Sequence, residues 1–409
     1  IGAYGTLTMS ADGSYTYAAN SSIVGLDSGE SVYDYFTYTV DDGLNDNSTD
    51  TAELKITIIG AGNGSPTARN DVGVILEDST LSVSDGDNAN ETSDSGTTYN
   101  ATGEHSGDVI DTSSTTHYDT DPDGDTLTVT AVRLGSSEGS GTAGTVGSAL
   151  TGTYGQLTLN SNGSYTYVAN QTAADNLDAG DVVTDSFNYT ITDGTAEDTA
   201  VITITVIGIN DAPSAQNDVG VIVEDGTLTV TNGANATLTG TYDATGENSG
   251  DLIDTSSSSH TDSDLDTSAS LSITQIKKDG GSNSDVASGS SYNSSGTQVT
   301  GTYGTLTIGA DGSYSYAATA DAADALDVGE SATDVFVYTL SDGTATTTAN
   351  ITITILGAND APVAANDYGA INEDATLTVA DGDNQYFTAN QRYDDTGEHS
   401  GDVINLSLI

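Results

Sequence analysis

The sequence predicts an all-β chain of tandem β-sandwich repeats, each about 150 residues long and joined end to end as an elongated rod. Three observations carry this expectation. The string Tyr-Gly-x-Leu-Thr-x-x-x-x-Gly-Ser-Tyr-x-Tyr recurs from Tyr4, Tyr154 and Tyr303. Apolar and polar residues alternate at period two within each copy, the signature of a half-buried strand. Three of the four prolines, Pro66, Pro213 and Pro362, recur at one place in the repeat, where a fixed φ and a missing N–H stop strand pairing.

Each repeat can be read in chain order. Leu157 and Leu159, then Tyr165 and Tyr167, flank Asn162-Gly163. Asx-Gly tolerates the positive φ angles of a tight turn, so this segment is a hairpin, with Asp12-Gly13 and Asp311-Gly312 in the same slot. A Leu-Asp-x-Gly-acid stretch follows at Leu26-Asp27, Leu177-Asp178 and Leu326-Asp327, long enough for one or two helical turns and read as a crossover. Next come an aromatic strand (Phe36 and Tyr38, Phe187 and Tyr189, Phe336 and Tyr338), an Asp-Gly turn and an Ile/Thr strand that points Ile202, Ile204 and Val206 inward.

The proline joints read Asn63-Gly64-Ser65-Pro66, Asn210-Asp211-Ala212-Pro213 and Asn359-Asp360-Ala361-Pro362. Beyond them stand the pairs Asn70-Asp71, Asn217-Asp218 and Asn366-Asp367, then Glu77-Asp78, Glu224-Asp225 and Glu373-Asp374. The expected units are 1–62, the second half of a repeat; 63–211 and 212–360, complete repeats; and 361–409, the first half of another.

Composition narrows the function. Six Lys and Arg against 61 Asp and Glu give a net charge of −55, which repels nucleic acids and anionic lipid surfaces. No apolar run reaches the length of a membrane span. Zero cysteines exclude disulfides, thiolate nucleophiles and sulfur-bound zinc, and four histidines leave little room for imidazole catalysis. Carboxylate oxygens are hard ligands, so the expected partner is Ca²⁺.

Together the hairpin, the Leu-Asp-x-Gly-acid stretch, the Asp-Gly and Ile/Thr strand and the Asn-Asp-Ala-Pro joint resemble the VCBS repeats of very large bacterial surface proteins. The resemblance covers essentially the whole chain. It implies cadherin-like, immunoglobulin-like sandwiches and an extracellular, calcium-loaded extender or adhesion region of an RTX-type protein, exported by a type I system. No enzymatic activity is expected.

The run Asp119, Asp121, Asp123 and Asp125, mirrored by Asp262, Asp264 and Asp266, places alternate carboxylates on one extended loop, where a hard cation relieves their repulsion. It is not an EF-hand, because Thr130 occupies the twelfth position. In cadherin-like folds an early Glu, a linker Asn-Asp and an Asp-x-Asp pair bind ions jointly. The resemblance therefore implies Glu224, Asp211 and Asp264 or Asp266 for the second joint, and Glu373 and Asp360 for the third, with Glu77, Asp78, Asp225 and Asp374 as the further acids of the Glu-Asp pairs. Gly64 replaces the linker Asp at the first joint, so a weak or absent site is expected there.

Other motifs are read more plainly. Thr-Gly-Glu-x-Ser-Gly-Asp at 102–108, 245–251 and 396–402 is either a ligand motif through Glu104, Glu247 and Glu398 or a polar turn before a strand, and the turn is preferred. Most of the 21 tyrosines fall on strands at period two, as core and cross-strand partners rather than as a glycan platform. Lys55, Lys277 and Lys278 do not recur at one repeat position, which removes Lys–Asn crosslinks. Partners are thus calcium, neighbouring repeats and, as a minor reading, surface or matrix glycans. The leading expectation is a calcium-stiffened stalk, excerpted from a longer array. The alternative is a head-to-tail filament subunit whose half-repeats complete each other.

Overall fold

The structure is a computed structural model that describes residues 1–20, 23, 26, 28–44, 48–60, 62–86, 104–110, 117–238, 246–254, 260–362, 364, 366–380 and 398–399. Asp27, Thr102, Thr245 and most of the 396–402 motif lie outside the described residues. The described residues are all-β apart from one helical turn, Thr172–Asp175, in the predicted crossover. No helix among the described residues is long and apolar enough to cross a membrane.

Two β-sandwiches recur. In the first, a six-stranded sheet runs in the order Glu104–His105, Asp71–Leu76, Glu197–Ile207, Val182–Thr192, Thr128–Leu134, Thr142–Ala143. It faces a four-stranded sheet, Ala149–Thr151, Gln156–Leu159, Tyr165–Val168, Thr80–Val83. The second sandwich repeats this order, from Glu247–Asn248 to Ser284–Asp285 in one sheet and from Thr227–Val230 to Thr297–Thr300 in the other. Among the described residues all strand pairs are antiparallel except one per sandwich, Asp71–Leu76 on Glu197–Ile207 and Asp218–Val223 on Thr346–Leu356.

Alternation fills the cores as the period predicts. Leu157, Tyr167, Phe187, Ile202, Ile204 and Val206 are fully buried, as are Leu306, Tyr316, Phe336, Ile351, Ile353 and Ile355 in the second core. Tyr167 meets Phe187 edge to face with centroids 6.3 Å apart, and Tyr316 meets Phe336 at 6.2 Å. The Tyr-Gly hairpin start has its own physical cause. Tyr167 Oη donates to Asp185 Oδ2 at 2.7 Å, and the same carboxylate accepts from Thr153 N and Tyr154 N. A Cβ on Gly155 would lie 2.4 Å from the Tyr167 ring, so only glycine passes beneath it. Tyr316 with Asp334 and Tyr17 with Asp34 repeat the bond.

The Glu-Asp pair is where the chain changes sheets. Asp78 and Asp225 take φ of 58° and 61°, a left-handed conformation that Asp tolerates better than most residues. Glu77 N bonds Ile207 O at 3.0 Å and Asp78 N bonds Ala169 O at 3.2 Å, tying the corner to both sheets. Residues 1–60 show the hairpin Gly5–Met9 with Tyr15–Ala19 and the pair Ser31–Asp41 with Thr49–Ile59. There Tyr15 is 50% exposed, whereas its counterpart Tyr165 is 1% exposed.

Candidate metal centre

The parallel pair determines what meets at the joint between the complete repeats. Leu76 lies opposite Ile207, so the corner after Leu76 delivers Glu77 beside the linker. Glu77 is fully buried, its Oε1 accepts from Ile209 N, and its Oε2 has no hydrogen-bond partner. Two residues on, Asp211 donates its N–H to Asp266 Oδ2 at 3.0 Å, and Asp266 N bonds Asp264 Oδ1 at 3.0 Å. Asp211 Oδ2, Asp264 Oδ2 and Asp266 Oδ1 are buried without partners.

These oxygens share one electrostatic field. Burial pushes the Glu77 carboxyl up to about 7 against the lowering effect of the Ile209 N–H, and the charges of Asp211, Asp78 and Asp266 add to the rise. Asp211 is raised by burial and then by Asp78, Asp266 and Asp264; Asp266 is raised by burial and by Asp264, Asp178 and Asp342. The sequence contains no Lys or Arg between Leu134 and Ile276 to offset them.

The grouping of Glu224 with Asp211 is corrected by this geometry. The glutamate at that joint is Glu77, from the start of the same repeat that ends in Asp211. Glu224 belongs one joint later, where its Oε1 accepts from Ala358 N and its Oε2 is buried and unpartnered. Asp225 forms the corner beside it, and Asp360, Glu373 and Asp374 are exposed.

The first joint keeps the pattern of hydrogen bonds to aspartate side chains. Gly64 N donates to Asp123 Oδ2, Asp123 N and Asp125 N bond Asp121 Oδ1 at 2.8 and 3.2 Å, and Asn63 Nδ2 bonds Asp193 Oδ2 at 2.8 Å. Asn210 Nδ2 to Asp342 Oδ2, 3.0 Å, is the counterpart at the second joint. Burial raises Asp125, and Asp121, Asp193, Asp123 and Glu30 of the preceding unit add to it. The aspartate run is divided between two settings. Its first members, Asp119 and Asp262, are about 3% exposed and hold Arg69 N and Gln216 N at 2.7 Å, while the later members brace the joint.

Two features escape the sequence. Asp178, read only as part of a crossover, reaches the next repeat, accepting from Ser268 N at 3.1 Å and Thr267 Oγ1 at 3.3 Å, bonds that hold its carboxyl below the usual range. Its recurrence in Leu-Asp-x-Gly-acid was the available signal. The Thr-Gly-Glu-x-Ser-Gly-Asp motif, read as a polar turn, is interior in the second repeat: Glu247 and Asn248 form a strand, and Ser249 and Asp251 are 0% and 1% exposed. Burial pushes Asp251 and Asp262 up to about 6 and Asp218 up to about 8. In the complete repeats the core tyrosines Tyr165, Tyr167, Tyr189, Tyr314, Tyr316 and Tyr338 are buried and offer no platform for a sugar.

As the side chains stand, no group of three or more His, Asp or Glu among the described residues is arranged to hold a metal ion. The donor chemistry nevertheless suits one hard cation: Glu77, Asp211, Asp264 and Asp266 offer carboxylate oxygens from both sides of a joint, each with a buried oxygen lacking a partner.

Residues 87–208 match the family of the bacterial cadherin-like domain. No curated protein matches the chain. Among solved structures, the chain aligns with extracellular cadherin domains 3–6 of protocadherin gamma B2 at 11% identity, covering 88% of this chain and 66% of that one with a TM-score of 0.33. Drosophila N-cadherin EC1-4 gives 11% identity, 91% and 71% coverage and a TM-score of 0.25. An endo-fucoidan hydrolase of glycoside hydrolase family 107 gives 17% identity and a TM-score of 0.21, and the alignment with 87% of this chain spans 38% of that protein.

Proposed function

We propose that the chain is a non-enzymatic, calcium-stiffened extender segment of a bacterial surface or secreted protein of the VCBS and RTX-adhesin type. The observation that carries this reading is the meeting of Glu77 and Asp211 of one repeat with Asp264 and Asp266 of the next. Ca²⁺ held there supplies positive charge to four clustered carboxylates and crosslinks two rigid sandwiches, turning a hinge into a strut. The match of residues 87–208 to a bacterial cadherin-like domain supports an extracellular adhesion or structural module. The test is paired melting and small-angle scattering of the whole chain in Ca²⁺ and in chelator. Calcium should raise the melting temperature by about 5–15 °C, the span for ligand at 100 to 1,000 times its Kd, and lengthen the particle. Equal length and stability in both would refute the reading.

A second reading, the filament, rests on the hairpin of residues 1–60, where Tyr15 is 50% exposed while its counterpart Tyr165 is 1% exposed. Sedimentation at rising concentration separates the two, since only the filament gives head-to-tail oligomers.

A further inference from the structure

We infer that Asn232 is a site of spontaneous deamidation, whose product places a carboxylate in a slot that the other copies of the repeat fill with Asp. The sequence holds three Asn-Gly pairs, Asn63-Gly64, Asn162-Gly163 and Asn232-Gly233. In Asn-Gly the backbone nitrogen reaches the preceding side-chain amide most easily, because glycine carries no Cβ to obstruct it. The N–H of each glycine is hydrogen-bonded, to Asp123 Oδ2, Asn160 O and Asp251 Oδ2 respectively, so those bonds do not set the three apart. The space around each glycine does. A Cβ built on Gly64 would lie 2.8 Å from Pro122 Cγ, and one on buried Gly163 would lie 3.0 Å from Ile110 N. Around Gly233 nothing stands within 4 Å, and Asn232 and Gly233 are both exposed. Of the three, only Gly233 can swing its nitrogen onto the amide without displacing a neighbour.

The reaction consumes only water. Gly233 N gives up its proton and attacks Asn232 Cγ, the new N–C bond closes a five-membered succinimide, and Nδ2 leaves with that proton as ammonia. Water then opens the ring at either carbonyl. Breaking the new bond yields aspartate at position 232; breaking the original peptide bond yields isoaspartate, with the chain rerouted through Cβ. The aspartate product has a template in the first complete repeat. Asp85-Gly86 occupies the same slot, Gly86 N donates to Asp108 Oδ2 at 2.7 Å as Gly233 N does to Asp251 Oδ2, and the two glycines take φ of 73° and 74°. Asp381-Gly382, outside the described residues, fills the slot in the sequence of the last copy. Asn232 lines a cavity of about 680 Å³ with Asp251 and Asp311, and Asp85 lines the counterpart of about 550 Å³ with Asp108 and Asn162. Deamidation therefore adds a carboxylate to the wall of the second cavity without rebuilding the turn. The isoaspartate form lengthens the turn by one methylene and draws Gly233 N off Asp251, loosening the tie between the strand Thr227–Val230 and the Ser-Gly-Asp segment.

The experiment ages the whole folded chain in mildly alkaline buffer made with ¹⁸O-labelled water and maps its peptides by mass spectrometry, reading the exchange of NH for labelled oxygen at each Asn-Gly pair. The same map of the chain unfolded in urea gives the intrinsic rates, which should be alike for the three pairs. In the folded chain the Asn232 peptide should convert about tenfold faster than those of Asn63 and Asn162. Equal folded rates at the three pairs, or fastest conversion at Asn63 or Asn162, overturn the proposal. The variant Asn232→Asp tests the template. It should fold with the circular dichroism of the parent and protect the Gly233 N–H from hydrogen exchange as the parent does; loss of the fold or of that protection shows that the slot of Asp85 is not shared and refutes the assignment.

Discussion

The first and second joints share the hydrogen bonds of the linker and differ in side chains. Gly64 N and Asp211 N each donate to the third aspartate of the following run, Asp123 or Asp266, and each linker Asn bonds an Asp-Gly turn, at Asp193 or Asp342. Only the second joint adds a linker carboxylate. The contrast separates two layers: hydrogen bonds from the linker to aspartate side chains recur at both joints, and the linker carboxylate is an addition laid on top. A further difference locks the first joint in its state. A Cβ on Gly64 would lie 2.8 Å from Pro122 Cγ, and the residue matching Pro122 in the second run is Leu265, 51% exposed.

The largest effect expected is that of pH in chelator. Burial raises Asp251 and Asp262 to about 6, Glu77 to about 7 and Asp218 to about 8, all above their unfolded values. The unfolded chain therefore binds fewer protons than the folded one, and stability present below pH 4 is lost as pH rises through 6 to 8. Melting curves should fall steadily over that window without divalent cation. Saturating Ca²⁺ should reverse the slope, because deprotonated ligands bind the ion more tightly. A flat profile in chelator contradicts the burial of these groups.

Next in size is conversion of one joint into the other. Asp211→Gly and Glu77→Gln should each weaken Ca²⁺ binding at the second joint, read as a lost or right-shifted phase in calorimetry. Glu224→Gln should leave that phase alone, and its loss there would return Glu224 to the joint where the sequence put it. Gly64→Asp is a smaller and sharper test. Alone it should lower the melting temperature, by about 2–4 °C for each kcal/mol of strain. With Pro122→Leu it should restore stability and add an ion at the first joint. The smallest effect belongs to Asp178→Asn, an exposed contact to Thr267 and Ser268. Scattering should show a slightly broader distribution of particle lengths, with melting nearly unchanged.

The repeated hairpin and the inward isoleucines were legible because strand alternation and turn chemistry are local properties. The partner of Asp211 was not. Glu224 is the near acid in sequence, but the parallel pairing of Leu76 with Ile207 carries Glu77 across a whole repeat to the linker. Linear proximity cannot express a parallel crossover. Asp251 was missed for a different reason: a turn aspartate and an interior aspartate look alike in sequence, and only the strand formed by Glu247 and Asn248 against Gly220 and Val221 draws the motif inside. Asp178 was visible as a recurrence but lacked a partner until the neighbouring repeat was placed.

The same parallel pair has a mechanical consequence. The strand that opens a complete repeat and the strand that closes it lie side by side, from Asp71 opposite Ile202 to Leu76 opposite Ile207, and Asp218 to Val223 repeat this on Ile351 to Leu356. A pull on the two ends of a repeat slides these strands lengthwise past each other, so their hydrogen bonds bear the load together instead of peeling in turn. Each sandwich is therefore fastened in shear between its own entry and exit. Single-molecule stretching should show rupture forces well above those of a repeat whose terminal strands unzip.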